Sequence, residues 1–403
     1  MAPLLLLLVV ATGHALPALL NPADLHSDAA VVGLQARHLL QGEWSWFLWG
    51  SGYQTSTDAL IAALLFRVLH PTPLVLMLSA FLGHLLLVTC AFGTLRRHFD
   101  GWSSALLVTP LVMTTGPLHT YMLSPPRQAA LTLVFCAIWL LDGAARWRHS
   151  AAALLAGTFV AGLSSFADPY ALLFLPGLAL FVALSAGTWP KAQRARWALA
   201  ALFGALLGAL PTWLITHSAQ ASRGVLGLRW DVVNHNLELL RQTCLPYLLG
   251  STAYYSPRMP LVEPWPAPGW FRAIQLIGAA LFLLGIAVGG ASVFWRALPP
   301  KIRRLAALGA VMLPITLGAF ALSVMVMDRL SARYLVAIVL MAPFALAPLL
   351  LIVGRRRFAL LLLPFLSSVA VAGWLNYGDD VAGIRIVLHP ESASDEALLA
   401  RQL

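Results

Sequence analysis

Asp24, His26, Asp28, Arg37, His38, Glu43, Tyr53 and Asp58 all fall in one stretch, Asn21 to Asp58, whose neighbouring sequence offers almost no polar side chains. A carboxylate set among apolar residues can take a proton from a hydroxyl or hold a cation, so these groups are the first candidates for chemistry. Each also has a purely structural use. Asp28 can cap the helix that follows it, and Asp58 stands where a second helix would begin and where the helix dipole favours a negative charge. Asp24, His26 and Asp28 together offer three metal-type ligands on one loop, a sparse donor set. Tyr53 fits either an anchor at a membrane interface or a contact to substrate.

The elements that must position these residues lie in lipid. With 60% hydrophobic and 10% charged residues, the 403-residue chain is far from the roughly 25% charged fraction of soluble globules. That balance defines a polytopic membrane protein. Runs long enough to cross about 30 Å of hydrocarbon as helices number about eleven. They fall near residues 3–20, 73–95, 103–118, 128–145, 150–166, 170–188, 197–216, 270–295, 305–327, 334–353 and 358–375. With the N-terminus in the cytoplasm, one set of connections collects Arg96, Arg97, Arg146, Arg148, Lys191, Arg194, Arg196, Arg296, Lys301, Arg303, Arg304 and Arg355 to Arg357. Only Asp100 and Asp142 are acidic on that side. The net charge of +10 therefore reports orientation by the positive-inside rule and gives no reason to expect a nucleic-acid partner. The first apolar run also resembles a signal-peptide core, but no basic segment precedes it, and an uncleaved first helix is expected. Cys90, Cys136 and Cys244 are too few and too scattered for a disulfide framework or a zinc site, and the first two read as packing residues.

Between the first two spans, Ser27 or Asp28 opens a helix reaching Gln41, with Val31, Leu34 and Leu39 against Arg37 and His38, the pattern of a helix on a membrane surface. Trp44, Trp46, Phe47 and Trp49 follow as an aromatic cluster, and a second amphipathic helix is expected from Thr57 to His70. Among the other outer connections, Thr114 to Gln128 offers His119, Tyr121 and Arg127, and Met327 to Tyr334 offers Asp328, Arg329, Arg333 and Tyr334. Asp168, beside Pro169, reads as a turn former. The segment from His217 to Trp270 is too long for a bare connector and reads as a lid or ordered surface structure. Charges at span ends rather than in their middles argue against a transporter.

Two segments carry a family resemblance. Asp28-Ala-Ala-Val-Val-Gly-Leu-Gln-Ala-Arg-His-Leu-Leu-Gln-Gly-Glu43, followed by Gly50-Ser-Gly-Tyr-Gln-Thr-Ser-Thr-Asp58, resembles the first external loop of bacterial GT-C membrane glycosyltransferases. This is the family related to protein O-mannosyltransferases and lipid A aminoarabinose transferases. Arg333-Tyr334-Leu335 is similar to that family's Arg-Tyr-Leu segment. Ala29 departs from it, standing where the family usually has Glu, and the chain ends soon after its last span.

The resemblance implies a GT-C-like domain over residues 1–375, with external loops 21–72 and 217–269, and a short polar external tail over 376–403. It implies transfer of a sugar from a polyisoprenyl-phosphate donor to a lipid, glycan or protein acceptor on the external, periplasmic face of the inner membrane. Asp28 inherits the catalytic role and Arg333, with Tyr334 beside it, the donor phosphate; from their positions, Arg127 is either a donor-phosphate contact or a loop anchor, and His26, Tyr53 and Asp58 are candidates for the substrate cavity. A cofactor is not specified, and a divalent metal is one option. The competing reading is a non-catalytic GT-C-like protein that binds lipid phosphate or scaffolds envelope assembly. In that reading Arg333 snorkels from a helix end to the interface.

Overall fold

The computed structural model describes residues 1–20, 27–113, 117–144, 150–187, 189–216, 229–255 and 265–388. The chain is built of helices, beginning with α1 (Ala2–Leu20). Two shorter helices follow, α2 (Ser27–Leu40) and α3 (Thr57–Val68). The first half of the bundle is α4 (Pro73–Arg96), α5 (Gly101–Val112), α6 (Pro117–Leu123), α7 (Gln128–Ala144), α8 (Ser150–Ala167), α9 (Leu175–Ala186) and α10 (Arg194–Thr216). The second half is α11 (Trp230–Leu239), α12 (Leu245–Leu248), α13 (Gly269–Ala291), α14 (Pro300–Ala310), α15 (Met312–Leu322), α16 (Val336–Ala345), α17 (Ala347–Val353) and α18 (Arg355–Leu388). A two-residue antiparallel ladder, Tyr254–Tyr255 against Trp265–Pro266, and one bridge between Phe47 and Thr55 complete the described pairing.

Among the described residues, eight helical segments are long and apolar enough to cross a membrane. They are Ala2–Leu20, Pro73–Arg96, Ser150–Ala167, Pro169–Ala186, Lys191–Ile215, Gly269–Phe294, Pro300–Leu322 and Ser331–Val353. Two shorter apolar helices, Gly101–Val112 and Gln128–Ala144, stand among them. The chain is thus an all-α multi-pass membrane protein; of the eleven runs expected, eight correspond to segments of crossing length and two to the shorter apolar helices, while 358–375 is helical but not among the crossing segments.

The expected run 103–118 differs, because helix stops at Val112 and restarts at Pro117, where a ring that lacks an N–H fits the first helical position. The last helix runs past the expected 375 to Leu388, next to the region of Pro390, so the start of the expected tail is helical.

Packing follows the rules for lipid, where small residues let backbones approach. A Cβ at Gly208 of α10 would run into the Phe159 carbonyl of α8, and one at Gly204 into the Leu155 carbonyl. The outer side of α10 leaves Leu199, Leu202, Phe203, Leu206 and Leu210 exposed, as a lipid-facing helix does.

Two of the basic connections are tied to acidic partners at helix ends. Arg97 and His98 at the end of α4 both reach Asp142 at the end of α7, at 3.2 and 2.9 Å. Arg355 approaches Asp100, whose carboxylate caps α5 by accepting from the Trp102 and Ser103 amides. At the other end of α4 from Arg97, α2 and α3 pack together through Val32, Ala36, Ala59, Ala62 and Phe66, and rest on the start of α4 at Val75 and Leu76. This pair is the two-helix insertion expected between the first spans, and it agrees with the expected ends within two residues.

Candidate functional site

Gln35 organises the first loop. Fully buried, it donates to the Phe47 carbonyl at 3.0 Å and the Ser56 hydroxyl at 2.8 Å, and it accepts from the Trp49 amide at 3.2 Å. The loop returns beneath α2 and delivers Gln54, Thr55 and Asp58 into the bundle. Thr55 donates to the Ala167 carbonyl at 3.2 Å, and Gln54 donates to Asp168 Oδ2 at 2.7 Å.

A buried floor forms there. After the cis Pro125–Pro126 bond, Arg127 has φ of 97°, a left-handed conformation that costs a non-glycine residue energy and needs outside support. Asp58 supplies that support. Its two carboxylate oxygens accept from the Arg127 amide at 2.9 Å and the Ala129 amide at 3.0 Å, capping α7 in place of a local residue. The sequence placed Asp58 at the start of its own helix, yet the side chain serves the N-terminus of another. Burial pushes its carboxyl up to about 6, against the lowering effect of the two amides.

The Arg127 guanidinium lies between aromatic rings, 4.6 Å from the Tyr170 centroid and 5.3 Å from that of Tyr121. Its Nε donates to Asp168 Oδ2 at 3.0 Å, and its Nη1 donates to the Tyr121 hydroxyl. Asp168 also caps the 3-10 turn Pro169–Phe174, accepting from the Tyr170 amide at 2.7 Å. It is thus a turn former, as its neighbours suggested, and in addition the counter-charge of a buried arginine. The Tyr170 hydroxyl then bridges to the late segment, donating to the Tyr334 carbonyl at 3.2 Å and accepting from the Ala337 amide at 3.0 Å.

Above this floor is a more exposed rim. Arg333 Nη1 stands 3.7 Å from Asp28 Oδ2, with the two side chains 45% and 55% exposed. Arg333 also donates to the Tyr334 hydroxyl at 3.4 Å and lies 5.3 Å from that ring's centroid. Tyr53 is 39% exposed, and burial pushes its phenol up while Arg127, Asp168, Tyr334 and Arg333 all act on it electrostatically. Asp28, Tyr53, Arg333 and Tyr334 therefore share one neighbourhood, with Arg127 and Asp58 beneath them. Asp24 and His26 lie outside the described residues. Among the described residues, no group of three histidine, cysteine or acidic side chains is arranged to hold a metal ion.

The two arginines differ in kind. Arg127 is 8% exposed, with charge and donors committed to Asp168 and Tyr121. Arg333 is held loosely to a half-exposed carboxylate, a pair worth little and easily exchanged for a stronger anion. Sequence reasoning named both arginines and missed Gln35, Gln54 and Tyr170. The available signal for Asp168 and Tyr170 was position: polar groups between two spans, at the same membrane level as the first loop.

The helical bundle with its inserted helix pair defines a polytopic membrane protein of the GT-C fold. Among solved structures the chain is similar to ArnT from Cupriavidus metallidurans in the apo state, a GT-C fold enzyme, with a TM-score of 0.53 and 13% identity. That alignment covers 98% of this chain and 72% of ArnT. ArnT from the same organism bound to undecaprenyl phosphate aligns with a TM-score of 0.43 and 15% identity, over 97% of this chain and 80% of that one. No family model matches the sequence, and no curated protein does.

Proposed function

We propose that the chain is an integral-membrane glycosyltransferase that moves a sugar from a polyisoprenyl-phosphate donor to an envelope acceptor on the external face. The observation that carries this reading is the meeting of Asp28 and Arg333, from opposite ends of the sequence, at 3.7 Å on a half-exposed rim. The Asp28 carboxylate takes the proton of the acceptor hydroxyl as its oxygen attacks the anomeric carbon. The bond from that carbon to the phosphate oxygen breaks, and the configuration inverts. The lipid phosphate leaves as an anion matched by the Arg333 guanidinium, with the Tyr334 hydroxyl beside it.

Arg127 and Asp58 act beneath the reaction. They fix the backbone against which Tyr53 and the rim are set, and Arg127 adds positive potential to the site without leaving Asp168. Ala29 is fully buried, so where the family usually has an Asp-Glu pair this chain relies on Asp28 alone. That single carboxylate also favours a second reading, in which the same rim binds polyprenyl phosphate and transfers nothing.

The test is transfer of labelled sugar from a polyprenyl-phosphate donor in membranes containing the parent, Asp28→Asn or Arg333→Ala. Expected are loss of transfer in Asp28→Asn at an unchanged membrane level, and a raised KM for donor in Arg333→Ala. Equal activity in parent and Asp28→Asn removes Asp28 from the mechanism. A parent that binds polyprenyl phosphate through Arg333 and transfers no sugar establishes the second reading.

A further inference from the structure

Two of the three cysteines of this chain, 46 residues apart in sequence, touch: Cys90 Sγ of α4 and Cys136 Sγ of α7 stand 3.7 Å apart. Neither belongs to the site described above. They sit midway along a seam in which α4 and α7 run parallel and in register. Toward the Arg127 end, Thr132 donates to the Gly83 carbonyl at 3.0 Å. Past the cysteines, Gly93 leaves room for the Trp139 indole, and Arg97 then donates to the Trp139 carbonyl at 2.6 Å and to Asp142 at 3.2 Å. Close contacts above and below the thiols hold them opposite one another. From 3.7 Å the sulfurs need close by only about 1.7 Å to reach the roughly 2.05 Å of a disulfide.

We propose that Cys90 and Cys136 form a redox-active dithiol that an oxidant dissolved in the bilayer converts to a disulfide, clamping α4 to α7. Cys90 lies six residues before Arg96, about 9 Å along the helix from the charged end, and so within hydrocarbon. The pair is therefore matched to a membrane-permeant two-electron oxidant, such as a fully substituted quinone, and is shielded from ionic oxidants in water. The two thiols give up two protons and two electrons, the quinone leaves as the hydroquinone, and the Sγ–Sγ bond forms. Cys136 is half-buried and gives the oxidant its point of entry, while Cys90 is buried behind it. The proposal stands or falls independently of the glycosyltransferase reading, since neither sulfur touches the rim or the floor.

The experiment treats membranes holding the intact chain with diamide, a permeant azo compound that takes up the same two hydrogens, then blocks free thiols and maps linked peptides by mass spectrometry. Expected is a Cys90–Cys136 linkage in most of the parent, none in Cys90→Ser or in Cys136→Ser, and its disappearance after a permeant thiol reductant. Both thiols still free after diamide, linkage to Cys244 in place of the expected pair, or linkage only once the protein has been unfolded would each overturn the proposal.

Discussion

Replacing Asp168 by Asn changes its shape little and removes the negative charge that, among the described residues, pairs with the Arg127 side chain. The pair is shielded, with side-chain exposures of 9% for Arg127 and 2% for Asp168, so water does not relieve the loss. Breaking one partner of such a pair costs about 3–5 kcal/mol, because the other charge stays buried. The cation–π contacts to Tyr121 and Tyr170 are already present in the parent and offset none of that cost.

The remaining partners of Asp168 tolerate an amide better. Its oxygen can still accept from the Tyr170 amide, and a flipped Gln54 can accept from its NH2 group. The guanidinium keeps its bond to the Tyr121 hydroxyl but loses its counter-charge, which leads to a second variant. Arg127→Met combined with Asp168→Asn removes that group, and stability should recover by more than half of what Asp168→Asn loses. The assay is the midpoint of thermal unfolding in detergent for the parent, both single variants and the double variant. Asp168→Asn within about 0.5 kcal/mol of the parent refutes the reasoning, as does a double variant that shows the sum of the two single losses.

Two further outcomes are expected. Asp58 holds its proton up to about pH 6 in the folded chain against 3.8 for its ordinary value, so the folded state binds a proton that the unfolded chain has released. The stability this contributes is complete below about pH 4, is lost as pH rises through 6 and amounts to about 3 kcal/mol. Unfolding midpoints measured from pH 4 to pH 7 should fall in the parent and stay level in Asp58→Asn. Asn236→Ala removes a buried amide that donates to the carbonyls of Phe320, Ala321 and Ser323, where α15 ends. That change should cost about 1–3 kcal/mol in the same unfolding assay, and no change would show that the helix end finds other donors.

Where the helices lie was largely legible in the sequence, because hydrocarbon leaves the backbone few choices, although about eleven crossing runs were expected and eight described segments are long and apolar enough to cross. The helix pair α2 and α3 was legible for a related reason: Ser27, Asp28 and Thr57 are helix-starting residues set before apolar periodicity. The floor was not legible. Asp58 had an adequate local use at the start of α3, and nothing local to Arg127 shows that its amide needs an acceptor from a segment 69 residues earlier. Asp168 satisfied a turn rule so well that its second role left no trace. Gln35 sits on the helix face that the hydrophobic pattern assigns to the core, where a single polar residue reads as an interruption and is in fact the loop's main tie.

The floor and the rim are completed at different moments of synthesis. Gln54, Asp58, Tyr121, Arg127, Asp168 and Tyr170 have all been synthesised by the time the sixth apolar run is complete, so the most expensive buried charge meets its counter-ion early. Arg333 arrives only after several more spans have entered the bilayer, and until then Asp28 waits beside water without its cation. Nascent chains stalled between these two points should therefore already hold the Arg127–Asp168 pair against a membrane quality-control protease, while offering no cation at the rim to a lipid phosphate.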